Sequence, residues 1–172
     1  MKGCKPLFLC FLPMFFCPTF ACQFKNTVGD TSFFIGTTTK TEIIKKFGYS
    51  EEFSYSELGT KAMCYRTPFD EFIIFGFDMN DHELRLTSID LGVTPPTGHD
   101  DTFCKAISSD KPLNVNSINI GIKENGFRLK GGPLISKKIK TIESGKACSL
   151  TYERRYIGST VVHVSYTLST YD

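Results

Sequence analysis

The side chains that could do chemistry in this 172-residue sequence are three histidines, seven cysteines and several adjacent carboxylates. His99-Asp100-Asp101 offers metal-ligand types, yet neighbouring residues seldom converge on one ion and this triplet sits in a Pro/Gly loop, so it reads as a solvated turn. His163 alternates with Val162 and Val164, which makes it the surface histidine of a strand, and His82 stands alone. Cys64, Cys104 or Cys148 beside a histidine would make a nucleophile–base pair, but no local protease signature accompanies them. Glu51-Glu52, Asp70-Glu71 and Asp100-Asp101 are sequence neighbours. Neighbours on a strand point to opposite faces, so none of these pairs reads as an acid–base couple. Gly131-Gly132-Pro133 lacks the Lys-Ser/Thr of a phosphate loop. The expectation is a protein with no catalytic set, no metal site and no cofactor.

The elements that would position these residues begin after a segment to be set aside. Lys2 and Lys5 precede an apolar run from Leu7 to Phe16, with Thr19-Phe20-Ala21 behind it, which is the layout of a secretory signal peptide over residues 1–21. The run is too short to span a bilayer, which takes about 20 apolar residues. Ala21-Cys22 resembles a bacterial lipoprotein signal, in which the cysteine carries a lipid anchor, although Thr19 and Phe20 depart from that pattern. Ordinary cleavage after Ala21 would instead leave Cys22 free to pair.

Removing Lys2 and Lys5 from the 20 basic side chains leaves 18 against 18 acidic ones. A near-neutral chain without a basic stripe is not built for nucleic acid, and Lys137-Lys138-Ile139-Lys140, its densest basic cluster, reads as a solvated face. Cys22, Cys64, Cys104 and Cys148 remain, too far apart for a zinc or thioredoxin motif. In an exported protein they are disulfide candidates: one bridge and a leftover thiol if Cys22 is lipidated, two bridges in three connectivities if it is not.

Residues 22–31 read as a polar tether. Thr39-x-x-Glu42 is a capping box, Ile43, Ile44 and Phe47 form an apolar stripe, Lys45 and Lys46 suit the last turn, and Gly48 closes a short helix. Such a helix needs a sheet to dock on. Phe72–Phe77 and Glu83–Leu91 supply strands, the second with a phase change between Leu84/Leu86 and Ile89/Leu91 that suggests a bulge. Residues 92–116, with Pro95, Pro96 and Gly98, read as a linker. The opening then returns in outline. Ile35-Gly36 matches Ile120-Gly121, and Gly48 to Cys64 and Gly132 to Cys148 are both separations of 16 positions. Residues 118–129 fit either a degenerate helix or a hairpin about Asn125-Gly126. The last strand places Val162, Val164, Tyr166 and Leu168 on one face.

These residues resemble the SmpA/OmlA (BamE-like) outer-membrane lipoproteins and are similar to the tandem repeats of the beta-lactamase-inhibitor-protein fold. The resemblance rests on Ile35-Gly36, Thr39 to Gly48, Phe72 to Ile89, Ile120-Gly121 and Gly132-Pro133. It implies an α+β fold of two tandem repeats, residues 32–91 and 117–172, each a short helix or helix pair packed on an antiparallel sheet. It also implies a non-catalytic protein-binding module of the bacterial cell envelope, in the periplasm or anchored at the outer membrane through Cys22. The alternative is a soluble periplasmic inhibitor or immunity-type protein that binds one enzyme partner. Tyr152, Tyr156 and Tyr166 are the candidates for its binding surface.

Overall fold

The computed structural model describes residues 22–55, 60–121, 134–143, 146–157 and 160–171. The signal-peptide reading of residues 1–21 lies outside the described residues, and so does most of the stretch 118–129 read as helix or hairpin, whose described start, Ile118–Asn119, is strand. In chain order the elements are β1 (Phe24–Val28), β2 (Thr31–Ile35), α1 (Lys40–Phe47), β3 (Glu52–Ser54), β4 (Lys61–Arg66), β5 (Phe72–Phe77) and β6 (Leu86–Gly92). They continue with β7 (Lys105–Ala106), β8 (Asn114–Val115), β9 (Ile118–Asn119), β10 (Leu134–Glu143), β11 (Lys146–Ile157) and β12 (Thr160–Tyr171).

Mostly β-strand, the chain has one helix among the described residues, and this overturns the α+β reading and with it the BamE-like resemblance. The strands of both halves join one eight-stranded sheet in the order β10-β11-β12-β6-β5-β4-β3, with β7 parallel to β4. The second half is therefore an extension of the first half's sheet, in which β12 runs antiparallel to β6. The physical reason is periodicity. The described strands after residue 134 run for 10 to 12 residues, and Cys148, Leu150, Tyr152 and then Val164, Tyr166, Leu168 recur with a period of two, the pattern of strands that complete their hydrogen bonds with neighbouring strands in a ladder. Tyr152 and Tyr166, opposite each other in that ladder, meet with their rings tilted and their centroids 4.9 Å apart.

A small sheet in the order β2-β1-β8-β9 and helix α1 cover one face of the large sheet. The stretch read as a tether thus holds β1, and the stretch read as a linker holds β7 and β8, which stitch it to both sheets. Between the layers lie Phe33, Ile35, Tyr65, Phe75, Ile89 and Val164, all buried.

Helix α1 forms as its sequence dictates. The Thr39 hydroxyl accepts from the Glu42 N–H at 3.4 Å, and the Glu42 carboxylate accepts from the Thr39 N–H at 2.7 Å. The Gly48 N–H closes the last turn on the Ile44 carbonyl at 2.7 Å. Ile43 is fully buried, and Phe47 meets Tyr65 and Phe75 at ring distances of 5.3 and 5.5 Å. Tyr65 donates to the Gly48 carbonyl at 2.9 Å, tying the helix end to β4. At the junction before the helix, Gly36 has φ +99° and a Cβ there would collide with the Cys22 carbonyl oxygen, so only glycine fits.

The phase change in β6 is a bulge. Gly76 pairs with Ser88 and Phe77 with Leu86, leaving Thr87 as the extra residue, and its hydroxyl donates to the Gly76 carbonyl at 3.2 Å. A second register shift falls where Arg155 pairs with His163 and Tyr156 with Val161. It displaces Val162, so Val161 rather than Val162 joins Val164 and Tyr166 in the core. At the far edge of the sheet, Lys137, Lys138 and Lys140 of β10 are exposed, which protects an edge from pairing with other chains.

Candidate functional site

All four described cysteines are bridged. Cys64 of β4 joins Cys104 across a Cα separation of 4.8 Å, and Cys22 joins Cys148 of β11 across 6.3 Å. The first bridge sits in a second apolar cluster with Phe53, Phe72 and Ile74, on the opposite face of the large sheet from the main core. The second fastens the start of β1 to the far half of the sheet. A sulfur held in this bridge is not available for a lipid thioether.

The tyrosines expected at a binding surface lie elsewhere. Tyr156 and Tyr166 are buried in the core, and Tyr152 packs against it. Alternation from the first β11 residues onto the β12 ladder turns these rings inward. The His99 triplet is likewise structural: His99 stacks on Phe103 at 3.9 Å, Asp100 accepts from the Thr102 and Phe103 N–H groups, and Asp101 pairs with Arg66 at 2.9 Å. His82 is exposed in the β5–β6 connection. No cluster of histidine, cysteine and carboxylate among the described residues could hold a metal ion.

What the fold does assemble is a cleft of about 610 Å³, lined by polar and apolar side chains alike, on the sheet face away from the main core. Its floor follows from strand register. Asp90 of β6 stands opposite Ser165 of β12, and Ser165 stands opposite Glu153 of β11. One row along, Gly92 stands opposite His163, and His163 opposite Arg155. Glycine at 92 leaves room for the imidazole, since a Cβ would lie 3.3 Å from His163 Cδ2. Tyr55 after β3, with Pro95 and Pro96 after β6, forms the walls. The Cys64–Cys104 bridge holds the loop that carries the prolines.

Asp90 is the unusual group. It is 4 % exposed, and its Oδ2 has no hydrogen-bond partner of regular geometry. Burial raises its pKa to about 6, against the pull of the Ser165, Tyr55 and Ser88 hydroxyls and the field of Arg155. His163 Nε2 lies 3.7 Å from Asp90 Oδ1, beyond hydrogen-bond reach. Burial, helped by Arg155, lowers the imidazole to about 4, so it is neutral at neutral pH and its buried Nδ1 is also unpartnered. Tyr55 is raised by its burial and by the neighbouring Asp90 charge. At neutral pH the cleft therefore holds an anion with an unused acceptor beside a neutral imidazole.

Sequence reasoning passed over Asp90, Tyr55 and Arg155 and set His163 on a plain strand surface. The available signal was a single aspartate between Ile89 and Leu91, directly after the phase change. An ionisable residue in an otherwise apolar strand points to a special environment, but its partners come from three other segments. Register, not spacing, brings them together.

No family model matches the chain, and no curated protein does. Among solved structures, an extracellular protein containing a SCP domain from Bacillus anthracis str. Ames is similar at 11% sequence identity and a TM-score of 0.46, over 78% of this chain and 48% of that one. The chain spans about half the length of that protein, and a likeness of this size carries no conclusion about function. The two disulfides are consistent with an exported protein that folds in an oxidising compartment.

Proposed function

We propose that the chain is an exported, non-catalytic binding module whose recognition site is the Asp90 cleft, held by a disulfide-braced sheet. The observation that carries this reading is Asp90, a buried carboxylate among the residues lining the cleft, whose Oδ2 has no hydrogen-bond partner of regular geometry. A buried acceptor left unpaired costs roughly 1–3 kcal/mol, more when charged, and a ligand donor would recover that cost. The cleft volume falls in the range of ligand sites, about 300–1,000 Å³. Cys64, Cys104 and Cys148, the three cysteines that a cysteine–histidine enzyme could use, are all bridged, and the Asp90–His163 separation does not form a proton-relay bond. The test is a fragment screen by NMR on the disulfide-bonded protein. Hits whose shifts cluster on Ser88, Asp90, His163 and Ser165 support the reading, and hits scattered over the surface with none in the cleft contradict it.

The Cys22–Cys148 bridge favours the soluble alternative over the lipid-anchored one: a protein in the periplasm or outside the cell that recognises one partner, rather than an outer-membrane component. Mass spectrometry of the mature N-terminus decides between them. The bridge predicts an unacylated Cys22 linked to the Cys148 peptide, whereas a diacylglyceryl adduct on Cys22 would restore the anchor.

A further inference from the structure

Three carboxylates and one guanidinium line the cleft: Asp78, Asp90 and Glu153 against Arg155. Arg155 acts on Asp90 through its field, with no hydrogen bond between them among the described residues. The exposed guanidinium thus leaves the buried oxygen unfilled, and the lining keeps a negative excess. Beside the carboxylate the floor turns apolar, through Ile74 and Phe72, toward the Pro95–Pro96 wall. The Ile74 position is opposite Asp90 in the β5–β6 ladder, so apolar surface and anion are adjacent.

We propose that the cleft receives a primary ammonium group, whose nitrogen donates to the Asp90 carboxylate and whose aliphatic stem lies toward Phe72, Ile74 and the proline wall. A neutral donor would also satisfy the oxygen, but only a cation answers both the buried, under-satisfied carboxylate and the net negative lining. An anion would meet the carboxylates, and a purely apolar ligand would cover Asp90 without bonding it, which raises the desolvation cost. The proposal rests on the cleft being the recognition site. The ammonium could come from a free amine or from a lysyl side chain on a partner protein, and the same contacts serve both.

The test uses the full disulfide-bonded protein and three probes of like shape, n-butylamine, 1-butanol and butyrate, in NMR shift titrations at pH 8. Butylamine is expected to saturate with shifts at Asp90, His163 and Ser165, and to weaken by about tenfold or more in Asp90→Asn. Arg155→Gln, at an exposed position, is expected to tighten butylamine by about two- to fivefold, because it removes the competing cation. At pH 5 binding should weaken as Asp90 is protonated. Asp78, Tyr55, Glu153, Arg155 and His163 are the other titratable groups lining the cleft, and the amine stays protonated throughout.

Equal binding of 1-butanol, or preference for butyrate, overturns the ammonium assignment and leaves the cleft as a site for other chemistry. No shift with any probe also overturns it, and the fragment screen then shows whether the cleft itself survives. An end-blocked Gly-Gly-Lys-Gly-Gly peptide that binds more tightly than butylamine assigns the ammonium to a partner's lysine, and the reverse order assigns it to a free amine.

Discussion

An Asp90 carboxyl raised from 3.8 to about 6 is a statement about stability as well as binding. The folded state holds the proton more tightly than the unfolded chain does. The group's favourable contribution is therefore fully present below about pH 4 and is lost as pH rises through about 6. At 1.36 kcal/mol per unit the loss is at most about 3 kcal/mol. Asp90→Asn removes it, so the variant should unfold at higher urea than the parent at pH 8 and at nearly the same urea at pH 3.5. His163 titrates with the opposite sign between about 4 and 6.5, because burial lowers its pKa, so both conditions lie outside its window. Equal midpoints at pH 8 would show that Asp90 is not under strain. A side chain that destabilises the unliganded fold is what a binding residue looks like, since stability and recognition then pull apart.

At the scale of elements, legibility tracked the range of the interaction. The capping box of α1 is contained in four consecutive residues, and Thr39 and Glu42 make both of its bonds. The β6 bulge could be seen because Leu86 and Ile89 cannot share a face without an extra residue between them. The inward turn of Tyr156 and Tyr166 could not, because their alternation is satisfied equally by either face until a neighbouring layer covers one. The Gly36 junction carries an element-scale prediction of its own. Gly36→Ala places a side chain at φ +99° and against the Cys22 carbonyl, so it should cost roughly 3 kcal/mol or more. A chemical-denaturation difference within about 0.5 kcal/mol would show that the β2–α1 corner yields freely.

Over the whole molecule, the sequence showed four cysteines fit to pair but not which joins which, because pairing is decided by a sheet assembled from both halves. The likeness between Ile35-Gly36 and Ile120-Gly121 is one of residue types. It did not extend to architecture, since the second half contributes long strands to the first half's sheet. The two bridges brace that shared sheet. In the chain-entropy model the Cys22–Cys148 loop, with a sequence separation of 126, contributes about 5 kcal/mol, and the Cys64–Cys104 loop, with a separation of 40, about 4 kcal/mol. Replacing Cys22 and Cys148 together by serine should cost about 2–5 kcal/mol in denaturant unfolding. Unchanged stability would mean that the N-terminal strand is held without the bridge.

Recognition of a cation by a buried carboxylate in an exported, braced sheet is tested most directly by the titration of Asp90 itself, followed through its side-chain carboxyl carbon by NMR. The predicted midpoint is about 6 in the free protein, falling clearly in saturating n-butylamine because the bound ammonium favours the ionised form. A midpoint near that of an ordinary aspartate, about 4, unmoved by the amine, would contradict it.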